Sequence, residues 1–245
     1  MRRRFFVENF ESGSAALHGD AAEHVGRVLR AEAGQLYELS DGREVWLARV
    51  REVALPKRGE SRIEFELLER IAASEPRLRV SVLLSIVKFD RFEWCIEKAT
   101  ELGATEIIPL AATRSEKALI AAAAKRRERW EKIAFESAQQ SRRLRAPAIG
   151  AMARATDAFA AANASVKLIL SERPDSPPIR QTLEAAGTDV NSAVLAIGPE
   201  GGWTDEELAA ARTAGFREAS LGETILRTET AVIAALSVLR FALTP

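Results

Sequence analysis

The chain has 245 residues, of which 47% are hydrophobic and 29% charged, which bounds it to one or two globular domains and excludes disordered and collagen-like classes. Its 35 Lys and Arg balance 35 Asp and Glu, and one cysteine, Cys95, stands beside only two histidines, His18 and His24, so a polyanion must be met by a local cluster and neither a disulfide nor a Cys/His zinc site is expected. No run approaches the roughly 18 apolar residues a membrane helix needs, and Glu8 interrupts the start before any long apolar stretch, so a cytoplasmic setting with no membrane and no metal is expected.

Up to about Ala72, short apolar runs alternate with turn chemistry: Phe5 to Val7, Leu36 to Leu39, Val45 to Val53 and Ile63 to Leu68, with Ser40-Asp41-Gly42 between two of them. That pattern predicts a small β-rich domain over residues 1–72. One helix interrupts it, expected to open at Asp20 with Glu23 as its capping-box partner and to carry Val25, Val28 and Leu29 on one face. After Ser74-Glu75-Pro76 the period changes. Strand-like Leu78 to Val87, Glu106 to Leu110, Val166 to Leu170, Ala193 to Ile197 and Glu218 to Leu221 alternate with helix-like Phe92 to Leu102, Lys125 to Ser141, Ile179 to Ala186, Asp205 to Ala214 and a final apolar helix. Such alternation predicts an α/β domain over 76–245, a mostly parallel sheet with helices on both faces.

The densest local signal is Gly198-Pro199-Glu200-Gly201-Gly202-Trp203-Thr204. An apolar strand runs into a glycine-rich turn, and Thr204 with Glu207 forms a capping box that opens the next helix, which gathers backbone N–H groups beyond a strand's carboxyl end. In open α/β sheets ligands bind there. A tight strand-to-helix turn needing glycine for positive φ would leave the same trace. The spacing is not the dinucleotide fingerprint, because Glu200 takes the second glycine's place, and no Lys-Ser or Lys-Thr pair follows as in a phosphate loop. A second segment runs Leu221-Gly222-Glu223-Thr224-Ile225-Leu226-Arg227-Thr228-Glu229-Thr230-Ala231. Leu221, Ile225 and Leu226 offer an apolar wall, Gly222 lets backbone approach a flat ring, and Arg227 adds a fixed cation, with Thr228 expected as the cap of the last helix.

Together these two segments resemble the RsmE family of small-subunit rRNA uridine-N3 methyltransferases, in the SPOUT superfamily. The likeness extends to Arg2-Arg3-Arg4-Phe5-Phe6-Val7, His24 through Arg30, Lys88 with Asp90-Arg91, Ala99-Thr100-Glu101-Leu102-Gly103, Arg114-Ser115, Glu128-Arg129-Trp130 and Gln139-Gln140-Ser141-Arg142, in the family's order. One departure is Thr113, where the family's pattern has an acid to pair with Arg114. The resemblance implies a PUA-like β-barrel followed by a trefoil-knotted α/β domain, a homodimer, S-adenosylmethionine as cofactor and N3 of uridine 1498 in 16S rRNA, free or in the small subunit, as target. By position it assigns the cofactor wall to Leu170, Gly198, Pro199, Glu200, Gly201, Leu221, Gly222, Ile225 and Leu226.

Methyl transfer from a sulfonium needs no acid for departure, because the leaving thioether is neutral. Uridine N3 carries a proton, so its anion must be made available by a base or by stabilising charge on O2 and O4. Arg227 is the first candidate for that stabilisation, with Arg114 or Arg142 of a partner subunit as competitor. Glu200 is the candidate base, though an acceptor for loop amides or a ligand amine is the alternative role. For RNA, the segment from Lys125 to Arg145 carries eight Lys/Arg against three Asp/Glu. Arg142 and Arg143 at its end, the cluster Arg2, Arg3 and Arg4, Arg30, and Lys88 with Arg91 are the candidate contacts, although charged helical runs are commonly just solvated faces. The tryptophans and Cys95 read as packing residues. A non-catalytic ribosome-assembly factor of the same fold is the rival reading, and a dinucleotide oxidoreductase lacks its fingerprint. The last helix, apolar on nearly every face, is expected to serve the dimer interface as well as the core.

Overall fold

The computed structural model describes residues 3–73, 75–185, 187 and 190–244. Arg2, Ser74 at the expected domain boundary, and Ala186 at a predicted helix end lie outside the described residues. The chain forms two compact units, one of Met1–Glu75 with Ala138–Arg145, the other of Pro76–Ser137 with Ala146–Pro245.

The first unit contains β1 (Arg4–Phe6), β2 (Ser14–His18), α1 (Gly19–Glu23), β3 (Leu36–Ser40), β4 (Val45–Ala54) and β5 (Arg62–Ile71). Their order is β1-β3-β4-β5-β2, antiparallel except for the β1–β3 pair. Among the described residues no ladder joins β1 to β2, so the sheet is half a barrel. The β3–β4 turn is built as its residues suggest: Asp41 Oδ1 accepts from the backbone N–H groups of Arg43 at 2.8 Å and Glu44 at 2.7 Å. Inward residues Leu39, Val50, Ile63 and Phe65 close the core over Ala22 and Val25, Val50 standing between exposed Arg49 and Arg51.

The helix here departs from its expected form. Its N-cap is His18 with no side-chain cap bond, and Glu23 instead accepts from Ser61 Oγ at 2.9 Å. From His24 to Val28 the backbone opens into a π turn. Its wider i→i+5 register rotates Val28 away from the Val25 face, leaving Val28 66% exposed. The segment 138–145 is fastened within this unit by a buried carboxylate: Glu38 receives Arg4 Nη2 at 2.8 Å and Arg142 Nε at 3.2 Å, while Ser40 Oγ donates to the Leu144 carbonyl at 2.7 Å.

The second unit runs β6 (Arg79–Ser85), α2 (Phe89–Glu101), β7 (Glu106–Ala111), α3 (Lys117–Ala123), α4 (Arg127–Gln140, its last turn in the first unit's segment), β8 (Ala148–Ile149), β9 (Ala153–Arg154), α5 (Ala155–Ala161), β10 (Val166–Leu170), α6 (Ile179–Glu184), β11 (Ser192–Ile197), α7 (Asp205–Thr213), β12 (Arg217–Ala219) and α8 (Thr228–Leu243). All pairings are parallel, in the order β12-β10-β11-β6-β7-β8 with β9 beside β7. Strand alternation feeds two cores. Val80, Val82 and Leu84 of β6 meet Phe92, Cys95 and Ile96 of α2 and Val232, Leu236 and Leu239 of α8 on one face. Leu83, Ile169, Val194 and Ala196 meet Phe159 of α5 and Leu208 and Ala211 of α7 on the other. Each such large apolar side chain contributes about 1.5–3 kcal/mol on burial.

The predicted stripe of α2 is buried as spaced, and Gly103 takes the left-handed conformation past its end with φ +86. The free carbonyls there are capped from α8: Arg240 Nε donates to Leu102 O and Nη2 to Gly103 O, both at 2.7 Å. Helix α8 begins one residue earlier than expected, with Arg227 as N-cap and Thr228 buried inside the first turn.

Candidate active site

Strand order decides where a site can form. Because β12, β10 and β11 are parallel neighbours, the connections that leave their carboxyl ends emerge side by side, and they enclose a cleft of about 930 Å³. The connection after β10 contributes Ser171 to Pro174, that after β11 contributes Gly198 to Trp203, and that after β12 contributes Ser220 to Arg227. Arg91 of α2 and Arg114 from the connection after β7 complete the rim.

The β11 turn is held by its own side chains. Trp203, 7% exposed, donates from Nε1 to the Leu170 carbonyl at 2.9 Å and stands edge-on to Phe159. Its indole lies so close to Gly198 that a Cβ there would come within 3.1 Å of the ring. Gly202 adopts φ +67, a conformation that favours glycine. The predicted capping box is present: Thr204 Oγ1 accepts from the Glu207 backbone N–H at 3.2 Å, and Glu207 Oε2 accepts from the Thr204 backbone N–H at 2.9 Å.

All nine positions assigned to the cofactor wall line this one cleft: Leu170, Gly198, Pro199, Glu200, Gly201, Leu221, Gly222, Ile225 and Leu226. So do Arg227, Arg114 and Glu200, the three catalytic candidates. Their environments differ. Glu200 is exposed and pairs with Arg91 at 3.3 Å, which suits an orienting acceptor better than a base awaiting a proton. Arg114 does not rest on an acid, and the missing acid at Thr113 costs it no anchor, because Nη1 donates to the Gly201 carbonyl at 2.8 Å. Arg227 is exposed and forms no side-chain hydrogen bond or ion pair among the described residues, so its charge is available to a ligand. Arg173 crosses to Asp205 at 2.7 Å.

Beneath the cleft, Cys95 is fully buried, and burial first, then the carboxylates of Glu229 and Glu200, push its thiol up to about 12. It is a neutral packing group rather than a nucleophile.

The candidate RNA contacts are less uniform. Arg3, Arg30 and Lys88 are exposed, Lys88 as the N-cap of α2 outside the cleft lining. Arg4 is 7% exposed and Arg142 shares its carboxylate on Glu38, so both are structural cations whose guanidiniums are already bound. Pairing with a single buried acid, invisible in a basic run, occupies both guanidiniums, although Arg4 alone is buried and Arg142 stays exposed. Arg143 is half-buried. The basic run of α4 is also largely paired: Arg129 holds Glu93 through two bonds of 2.7 Å and Arg127 holds Glu131 at 2.8 Å. Sequence reasoning missed the whole connection after β10 and the second bond set of Glu207, which reaches Thr113. The general placement of ligands beyond strand carboxyl ends would have pointed to the former, whereas nothing local marks the latter.

Residues 74–240 match the family described as RNA methyltransferase domain. The ribosomal RNA small subunit methyltransferase E of Mesomycoplasma hyopneumoniae is 37% identical over 69% of this chain and 72% of its own length. The Mycobacterium bovis protein of the same name is 30% identical over 95% of this chain and 88% of its own. A crystal structure of the Neisseria gonorrhoeae ribosomal RNA small subunit methyltransferase E bound to S-adenosyl methionine superposes with a TM-score of 0.85 at 29% identity, covering 99% of this chain and 98% of that one. With two thirds of its length inside the domain family and relatives above 30% identity across most of it, the chain belongs to the ribosomal RNA small subunit methyltransferase E family of RNA methyltransferases.

Proposed function

We propose that this chain is an S-adenosylmethionine-dependent 16S rRNA methyltransferase whose target atom is N3 of a uridine, the position 1498 site that the family likeness implies. The observation that carries the reading is the cleft at the carboxyl ends of β10, β11 and β12, which gathers Gly198 to Trp203 of one glycine-bearing motif and Leu221 to Thr228 of the other. The residues fit the cofactor. Leu170, Leu221, Ile225 and Leu226 offer apolar surface to a purine, Gly222 and the Gly198–Gly202 turn leave backbone open to hydrogen bonding, and the carboxylates of Glu172, Glu200 and Glu223 suit the ammonium group of the zwitterionic amino-acid tail. When bound, S-adenosylmethionine supplies an electrophilic methyl group on a sulfonium.

The chain's own part is to choose and hold the nucleophile. Arg227, unpaired at the rim, stabilises negative charge on the uracil oxygens and so favours the N3 anion that remains once the N3 proton passes to solvent water. Arg114, fixed on Gly201, is the second cation within reach of the same edge. Glu200, tethered to Arg91, orients rather than abstracts. Apolar walls lower the polarity around the reacting atoms, and fixed placement of both reactants supplies on the order of 7 kcal/mol of barrier reduction.

We read the first unit as the PUA-like module that helps hold RNA, with Arg3, Arg30 and Arg143 as its candidate contacts, Lys88 and Arg91 as those of the second unit, and the final segments of the second unit as the trefoil-knotted part. Pairing of two copies through α8 is part of the proposal, because Phe241 on that helix is 91% exposed. Among the described residues no helix is long and apolar enough to cross a membrane and no cluster of His, Cys, Asp and Glu could hold a metal ion. A cytoplasmic location is part of the proposal, because rRNA is the substrate it assigns. Mass spectrometry of rRNA nucleosides tests the reading: a strain lacking the protein loses N3-methyluridine relative to its parent, and an unchanged profile overturns the assignment.

A further inference from the structure

A capping acid needs only one carboxylate oxygen for its helix, yet Glu207 uses both and is 3% exposed. Oε2 serves the cap, accepting from the Thr204 backbone N–H at 2.9 Å and from Thr204 Oγ1 at 3.2 Å. Oε1 turns to a different connection, accepting from the Thr113 backbone N–H at 2.8 Å and from Thr113 Oγ1 at 3.1 Å. Thr113 lies 94 residues earlier and directly precedes Arg114. Two further links join the same pair of connections: Arg114 Nη1 donates to Gly201 O at 2.8 Å, and Gly201 is packed so tightly that a Cβ there would sit 3.1 Å from the Arg114 Cβ.

We infer that Glu207 is a positioning residue for methyl transfer: its buried carboxylate locks the Arg114 connection to the glycine turn and thereby fixes where the Arg114 guanidinium meets the RNA base. The inference rests on the methyltransferase reading and deepens it. It follows from donor counting. Four donors converge on two oxygens that carry only acceptor capacity, and a neutral amide at this place offers one acceptor oxygen and a donating NH2. Glutamine therefore keeps one connection and turns an N–H against the donors of the other, so either Thr113 or Thr204 loses its partners in a buried setting. The first case frees Arg114 from its register. The second shifts the Gly201 carbonyl that Arg114 grips, and so moves the same guanidinium.

The test uses the full chain, tritiated S-adenosylmethionine, and both 16S rRNA and small subunits from a strain lacking the protein. Parent, E207Q, T113V, R114A and the E207Q/R114A double variant are compared for kcat, for KM toward RNA and for thermal unfolding. The expected result is a fall in kcat of about tenfold or more for E207Q, the scale of a small misplacement of a reacting group, with a smaller change in KM. T113V, which keeps the backbone donor and removes only the hydroxyl, falls in the same direction. In the R114A background E207Q adds no further loss of kcat. A parental kcat in E207Q, or losses that multiply in the double variant, overturns the inference. Should E207Q not fold, T113V carries the test, and a parental rate there contradicts it. A folded parent that methylates neither RNA form overturns the functional reading and the inference together, a result distinct from an active parent with an unaffected E207Q.

Discussion

The two glycine-bearing connections that face each other across the cleft are built in opposite ways. The one after β11 is bonded on every side, by the Trp203 indole to the Leu170 carbonyl, by the Thr204–Glu207 capping box, and by Arg114 on Gly201. The one after β12 is held at its start, where Ser220 N–H donates to Pro177 O at 2.8 Å and the Ser220 hydroxyl bonds to the Gly222 backbone. From Glu223 to Arg227 no side-chain hydrogen bond or ion pair is formed among the described residues, and Ile225 is 80% exposed. Both segments read alike as sequence, glycine followed by the start of a helix. One wall is thus a fixed template bound into the core, while the other carries cleft-facing groups at little structural cost, as a segment of few contacts does.

The sharpest way to break that contrast is a substitution in each wall. Trp203→Ala removes a buried indole, its hydrogen bond and its packing on Gly198 and Phe159, and is expected to cost about 3–5 kcal/mol of stability, measured by denaturant unfolding. A loss under 1 kcal/mol would mean the first wall is not anchored as described. Arg227→Ala, in the second wall, is expected to leave unfolding unchanged while lowering kcat about 100-fold, the scale of removing one donor from a developing anion. Should its activity stay parental, the charge-stabilising role falls to Arg114. Ile225→Ala is expected to change stability by less than about 0.5 kcal/mol, because the side chain is exposed, yet to weaken S-adenosylmethionine binding about tenfold by removing apolar area buried only in the complex.

The smallest effect concerns pH. The Cys95 thiol, raised to about 12 in the folded state, keeps its proton there more firmly than in the unfolded chain. Its contribution is complete below the ordinary thiol range and is lost as pH rises toward about 12. Stability between pH 7 and 8 is therefore indifferent to this group, and a thiol reagent modifies the native protein at pH 8 no faster than global unfolding permits. Rapid native-state modification would contradict the burial of α2 beneath the cleft.

Elements with strong period or paired signals were legible in the residues alone. The stripe of Phe92, Cys95, Ile96 and Ala99 is buried as its spacing demands, β10 spans Val166–Leu170, and the Thr204–Glu207 box caps α7. The π turn at His24–Val28 was not legible, since a widened helical register leaves no mark in a 3.6-residue pattern. Strand β2, Ser14–His18, is short and poor in β-branched residues, and propensity passes over it. At the site, the connections after β11 and β12 could be placed, because glycines followed by a helix start mark them, whereas the one after β10 carries no such mark. Charge partners could not: Arg4 and Arg114 look equally available in sequence, and only the fold sets one on buried Glu38 and the other at the cleft rim.

Titration calorimetry of S-adenosylmethionine into the folded chain tests most directly whether the two connections enclose one cofactor site. Saturable binding with one cofactor per chain, weakened by Ile225→Ala without loss of fold, is the expected result. A folded chain that gives no saturable heat, or an Ile225→Ala variant that binds as tightly as its parent, contradicts it.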